Sequence, residues 1–184
     1  THTLMVLMIY YLQEKISNFQ LNKYKKIIIA NLICAYGMLF FFIIQGYAMV
    51  SIFFSTSSIF VSYVFGYLYW KDLKKIDQDL AAINWFRAAV IFNIISSLGT
   101  FYLAYMMATK TAVENLKLSS IYYYLHFQYN GWFFFACIGL LFSFLKLKKS
   151  DHPFYEQAFR LFAVACVPAY LLSLLWLEVP DWVY

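Results

Sequence analysis

The chain has 184 residues, of which 64% are hydrophobic, 23% aromatic and only 12% charged, with a formal net charge of +5. A soluble domain of this length has too little interior to hide that apolar surface, so the composition excludes a water-soluble globule. The basic residues lie in short runs between apolar stretches rather than across one polar face, which excludes a nucleic-acid-binding module and leaves the lipid bilayer as the solvent.

In chain order, the apolar stretches predict membrane spans at about 3–12, 27–46, 48–70, 84–107, 121–145 and 159–178. The first is half the length of a crossing and begins without Met, which predicts a chain cut in or just before a helix, with something missing upstream. It has neither the basic start nor the small-residue cleavage site of a signal peptide. Residues 27–70 form one apolar run too long for a single crossing, so two helices joined by a tight turn at Gln45, Gly46 and Tyr47 are expected. The sequence thus predicts an all-α polytopic transmembrane helix bundle of about six spans, the first truncated. Residues 1–184 are expected to form a single transmembrane helical domain, since no loop is long enough for a soluble one.

Basic residues alternate along the loops. Lys15, Lys23, Lys25 and Lys26 follow the first span, and the next turn has none. Lys71, Lys74, Lys75 and Arg87 surround the third loop, while Lys110 and Lys117 lie in the fourth. Lys146, Lys148, Lys149 and Arg160 surround the fifth, and the tail from Val179 has none. Under the positive-inside rule both ends of the chain face outward. Long α-helical spans favour a bacterial inner membrane over an outer-membrane barrel. Trp70, Trp85, Trp176, Trp182 and many tyrosines fall near predicted interfaces, whereas Trp132 lies deeper.

The third span places Ser51, Ser55, Ser58, Ser62 and Gly66 on one face, and the fourth places Ala89, Asn93, Ser97, Thr100 and Ala104 on another. The matching stripes predict close pairing of these two spans with each other in preference to a hydrophilic pore, with the hydroxyls bonded back to their own backbone. Cys34, Cys137 and Cys166 are far apart in apolar stretches and read as packing residues. Pro168 removes one hydrogen bond from the last span and predicts a kink. Asp151, His152 and Glu156 read as a solvated loop, Arg87 as a snorkelling anchor, and Glu178 and Asp181 as surface residues.

The segment from Ile121 to Phe135 reads IYYYLHFQYNGWFFF, with His126 and Asn130 on one face and Tyr122 one turn earlier. A histidine, a glutamine and an asparagine so close together in a span are costly in hydrocarbon and must face protein, water or a ligand. With Gln45, Ser55 and Asn93 at similar predicted depth, Tyr122, Gln128, Asn130 and Trp132 suggest an outward polar pocket. Three roles remain open for His126: a ligand to haem or a metal, a buried ring hydrogen-bonded to a neighbouring helix, or a proton relay.

The stretch HFQYNGWFFFACIGLL, with NLICAYGMLFFFIIQGYAMVSIFFSTSSIFVSYVFGYLYWKDL and SSLGTFYLAYMMATK before it, resembles larger bacterial membrane proteins distantly similar to the catalytic subunits of haem-copper oxidases and nitric oxide reductases, and to NnrS-type haem membrane proteins. The resemblance implies an oxidoreductase-like respiratory subunit, working with other membrane subunits, in which His126 binds haem or metal near the outer face. His2 is then its in-chain partner. A complete haem-copper centre needs about six histidines, and this chain has three. The alternative is a non-enzymatic carrier or channel subunit with a pocket for a neutral solute.

Overall fold

The computed structural model describes residues 2–46, 48–109, 111 and 113–177. Among the described residues seven α-helices follow one another: α1 His2–Lys15, α2 Leu21–Gln45, α3 Met49–Leu73, α4 Ala82–Thr109, α5 Glu114–His126, α6 Phe134–Phe144 and α7 Phe154–Cys166. A π-helical segment, Phe127–Phe133, joins α5 to α6 as one continuous span, and a 3-10 segment, Pro168–Leu174, follows α7. Among the described residues five stretches are long and apolar enough to cross a membrane: α2, α3, α4, Glu114–Phe144 and Phe154–Leu174. With 14 residues, α1 rises only about 21 Å, short of the roughly 30 Å hydrocarbon core. The turn residue Tyr47, together with Lys110, Glu178, Asp181 and Trp182, lies outside the described residues.

Large apolar side chains stand outward along these helices; Ile43 is 77% exposed and Leu161 and Val164 are each 72% exposed. Water would not tolerate so continuous an apolar coat, whereas hydrocarbon requires one. The chain is an integral membrane protein with all-α spans.

Two spans begin earlier than their hydropathy suggests. α5 starts at Glu114 and α7 at Phe154, adding polar turns to the apolar runs. In α7 these turns are held by an Arg160–Glu156 pair four residues apart, a helix-stabilising spacing that hydropathy does not register.

The chain packs as two compact units, Thr1–Gln78 and Asp79–Tyr184. In the first, α2 and α3 form an antiparallel hairpin that reverses at Gly46, whose φ of +67° is open to glycine. Ser51 secures the turn, accepting the Ala48 amide at 3.0 Å and donating to the Ala48 carbonyl at 2.8 Å. Phe41 stacks on Phe54 across the hairpin. α1 packs on both helices, and buried Asn31 of α2 donates to Met5 Sδ at 3.4 Å. As expected for hydroxyls in hydrocarbon, Ser58 and Ser62 return their bonds to the carbonyls of Ser55 and Ile59.

In the second unit, α4 packs along α5, the π segment and α6. Trp85 is 2% exposed and meets the rings of Phe134, Phe135, Phe142, Phe159 and Phe162. It is thus a core residue, packed within the first turns of α4. At the polar end of this unit two loops clasp each other: Ala81 N–H bonds Leu147 O at 3.0 Å, Lys149 N–H bonds Asp79 O at 2.7 Å, and Asp79 also takes the Ser150 hydroxyl.

The π segment brings its backbone close to α4. A Cβ on Gly131 would lie 2.5 Å from Phe92 Cβ, so only glycine fits. The widened turn also lets Phe127, Gln128, Gly131 and Trp132 all be buried. Gly131→Ala should force the two helices apart and cost about 1–3 kcal/mol. Thermal unfolding of the purified protein in detergent checks this; an unchanged midpoint would mean that the contact is less tight than described.

Candidate functional site

The last span breaks at Pro168, which has no amide proton to give. Beyond it the backbone tightens, and the Tyr170 amide donates to Val167 O at 3.3 Å. In a continuing α-helix that amide would serve Cys166. The Cys166 carbonyl is instead met by His126 Nε2 at 2.8 Å, both residues being buried.

This contact assigns the tautomer of the histidine. A carbonyl only accepts, so Nε2 carries the proton and Nδ1 offers its lone pair. Asn130 Nδ2 fills that role, 3.1 Å from Nδ1. The Cys166 thiol in turn donates to Asn130 O at 3.6 Å. Three residues on two spans therefore close a ring of hydrogen bonds, linking the π-helical widening of one span to the proline break of the other. Cys166 is more than the packing residue its sequence position suggested.

Gln128 points elsewhere, toward α4. Its Oε1 accepts from Ser96 Oγ at 2.9 Å, and the same hydroxyl reaches Asn93 O at 2.7 Å. The polar residues of this span therefore form two sets, His126 and Asn130 on Cys166, and Gln128 on Ser96 and Asn93. Trp132 is fully buried, while Tyr122 is exposed with its ring against Trp176. In the first unit, Gln45 is exposed at the end of α2, and half-buried Ser55 offers its carbonyl to Ser58. His2 lies on α1 in that unit, its Nε2 buried and without a hydrogen-bond partner among the described residues.

An axial bond to haem, or a bond to a metal, requires a free ring lone pair. Both nitrogens of His126 are committed to protein partners, so as folded this residue does not fit an axial or metal ligand. Among the described residues no group of three or more His, Cys, Asp or Glu side chains is gathered to hold a metal ion. The loop residues expected to be solvated have local partners: Asp151 takes the Lys148 amide, His152 Nδ1 takes the Phe154 amide, and Glu156 takes Asn84 and Arg160.

Beside the ring lies a cavity of about 260 Å³, walled by Leu98, Gly99 and Tyr102 of α4, by Leu116, Ser119, Ser120 and Tyr123 of α5, and by Tyr170 of the 3-10 segment. Its lining contains no charged side chain. Ser119 and Ser120 give their protons to the Asn115 and Leu116 carbonyls, and Tyr170 donates across the cavity to Ser119 O at 3.0 Å. What the wall presents is thus apolar and aromatic. Tyr170 also joins cavity to ring, packing on Tyr123 at 5.1 Å and on His126 at 5.9 Å between centroids. None of these lining residues stands out in the sequence except Gly99. A Cβ there would lie 2.6 Å from Ser120 O, so α4 and α5 approach closely at the cavity floor.

No protein-family model, curated protein or solved structure matches the chain.

His126→Ala should cost about 1–3 kcal/mol, because the Cys166 carbonyl is left without its partner in apolar surroundings. Pro168→Ala should weaken the same bond from the other side, since a restored α-turn offers the Tyr170 amide to Cys166; hydrogen exchange at Tyr170 would slow if it does. Visible spectra of protein expressed with ample haem should be the same for wild type and His126→Ala. A Soret band lost in the variant would mean that the ring gives up its protein partners for iron.

Proposed function

We propose that this chain is a non-enzymatic membrane carrier or channel subunit that takes a small, neutral, largely apolar molecule into the cavity between α4, α5 and the 3-10 segment. The observation that carries this reading is the lining: three tyrosine rings, two leucines and no charge around about 260 Å³. That volume is at the small end of ligand sites, and an apolar wall with a few polar edges is what such sites have. A charged solute would lose its hydration without compensation there. The hydroxyl protons of Ser119 and Ser120 are held by their own helix, which supports a binding wall over a nucleophile.

The ring around His126 supports the same reading as a support for the wall. It fixes α7 just before the break, and Tyr170 follows one turn later with its hydroxyl on Ser119.

The test is a thermal-unfolding screen of the detergent-purified protein against small alkylphenols and alkanols and their charged analogues, beside Leu116→Trp. Leu116 is a partly exposed wall residue, so the indole fills the cavity at little cost to packing. A neutral compound at a hundred times its Kd should stabilise the wild type by about 2.7 kcal/mol, with no effect on Leu116→Trp and none from the charged analogues. Equal stabilisation of both proteins, or none by any neutral compound, would overturn the reading.

A further inference from the structure

The polar end of the α2–α3 hairpin holds more positive charge than its own carboxylates take up. Tyr24 in the first turns of α2 donates to Asp72 Oδ2, near the end of α3, at 2.8 Å, and this bond pins the two helix ends side by side. The other oxygen of Asp72 takes Lys75. Around this pair stand Lys23, Lys25, Lys26, Lys71 and Lys74, all exposed and none of them ion-paired among the described residues.

Their level in the span is defined by their neighbours. Lys26 immediately precedes the apolar run that starts at Ile27, and Lys71 immediately follows Trp70. Ammonium groups bordering an apolar span lie at the depth of lipid phosphates. The α2 lysines also sit near the positive end of that helix's dipole, with no acid in its first turn, an arrangement that a neighbouring anion relieves. The polar end of the second unit is bonded differently: Arg160 pairs with Glu156, Asp151 takes the Lys148 backbone amide, and Lys149 Nζ donates to the Asn84 amide oxygen.

We propose that this end of the hairpin binds the headgroups of anionic phospholipids in the adjoining leaflet, with Lys23, Lys25 and Lys26 of α2 and Lys71 and Lys74 of α3 closing on the phosphates. The positive-inside rule accounts for which side the lysines occupy. It does not require two runs to be brought together by a buried tyrosine with more lysines than the acids beside them, Asp72 and Asp77, can balance. A lipid rather than free phosphate is the occupant because exposed apolar side chains continue directly from the lysines along both helices. Ile29 and Ile33 on α2, and Tyr67 and Phe60 on α3, offer acyl chains a surface.

The experiment is native mass spectrometry of the detergent-solubilised full chain titrated with phosphatidylglycerol or phosphatidylcholine. Wild type should retain phosphatidylglycerol preferentially, and the preference should weaken as salt rises. Replacing all five lysines by Gln should cut the preference about tenfold or more, while Lys146→Gln with Lys148→Gln in the other unit should leave it intact. If the fivefold variant does not fold, Lys23→Gln, Lys25→Gln and Lys26→Gln together should give a smaller loss in the same direction. Equal retention of the two lipids, a preference indifferent to salt, or an equal loss in the Lys146/Lys148 variant would each overturn the proposal.

Discussion

A carbonyl buried in a membrane span has to find a proton donor within the protein, because hydrocarbon offers none. The tightening of the backbone after Pro168 creates that need at Cys166, because the Tyr170 amide turns to Val167, and His126 meets it at 2.8 Å. Much of the second unit's irregular backbone is organised around this bond. His126 is the last residue of α5, directly before the π segment, and Asn130 within that segment secures its other nitrogen. A histidine in a span is costly when isolated. Here its two nitrogens match one donor and one acceptor, so the cost is met by a bracket between two spans. The same matching removes the lone pair that a metal would need.

The bracket has a geometric consequence for the cavity. A 3-10 segment turns every three residues rather than every 3.6, so side chains after Pro168 leave the line set by α7. Tyr170 is thereby carried over toward α5, where its hydroxyl reaches Ser119 and its ring meets Tyr123. On the opposite wall, Gly99 lets α4 and α5 close at the floor. The cavity is therefore a product of the 3-10 break and one glycine, and its lining carries no charged side chain.

The spans and the hairpin were legible because apolar run length is a direct physical measure of a crossing, and because residues 27–70 are too long for one helix and suited to two. His126 and Asn130 stood out by chemical rarity, and their mutual spacing placed them on one face. The identity of their partner was hidden, since Cys166 contributes a carbonyl that every residue possesses, and only Pro168 marked where such a carbonyl would be released. The loop clasp between Asp79 and Lys149 was hidden for the same reason: it is made by backbone groups that leave no periodicity in the sequence. The polar first turns of α5 and α7 were misplaced because hydropathy reports the transfer of a residue to lipid. It does not report ring packing or ion pairs four residues apart.

The two units also deal differently with polarity in and beside the bilayer. In the first, the polar side chains within the long helices are mainly the hydroxyls of α3, of which Ser58 and Ser62 bond back to their own backbone, and charge is concentrated at one hairpin end around Tyr24 and Asp72. In the second, polar groups are distributed through the depth of the spans, and nearly every one described is answered by a neighbour: Ser96 by Gln128, His126 by Cys166 and Asn130, and Tyr170 by Ser119. Regular helices with a charged end suit contact with lipid headgroups. Widened and tightened turns, joined by hydrogen bonds across spans, suit a cavity whose shape has to be kept. The division follows in part from where the backbone departs from the α-helix, since Gln128, Asn130 and Tyr170 all lie on irregular segments and the Cys166 carbonyl beside the break is left for His126.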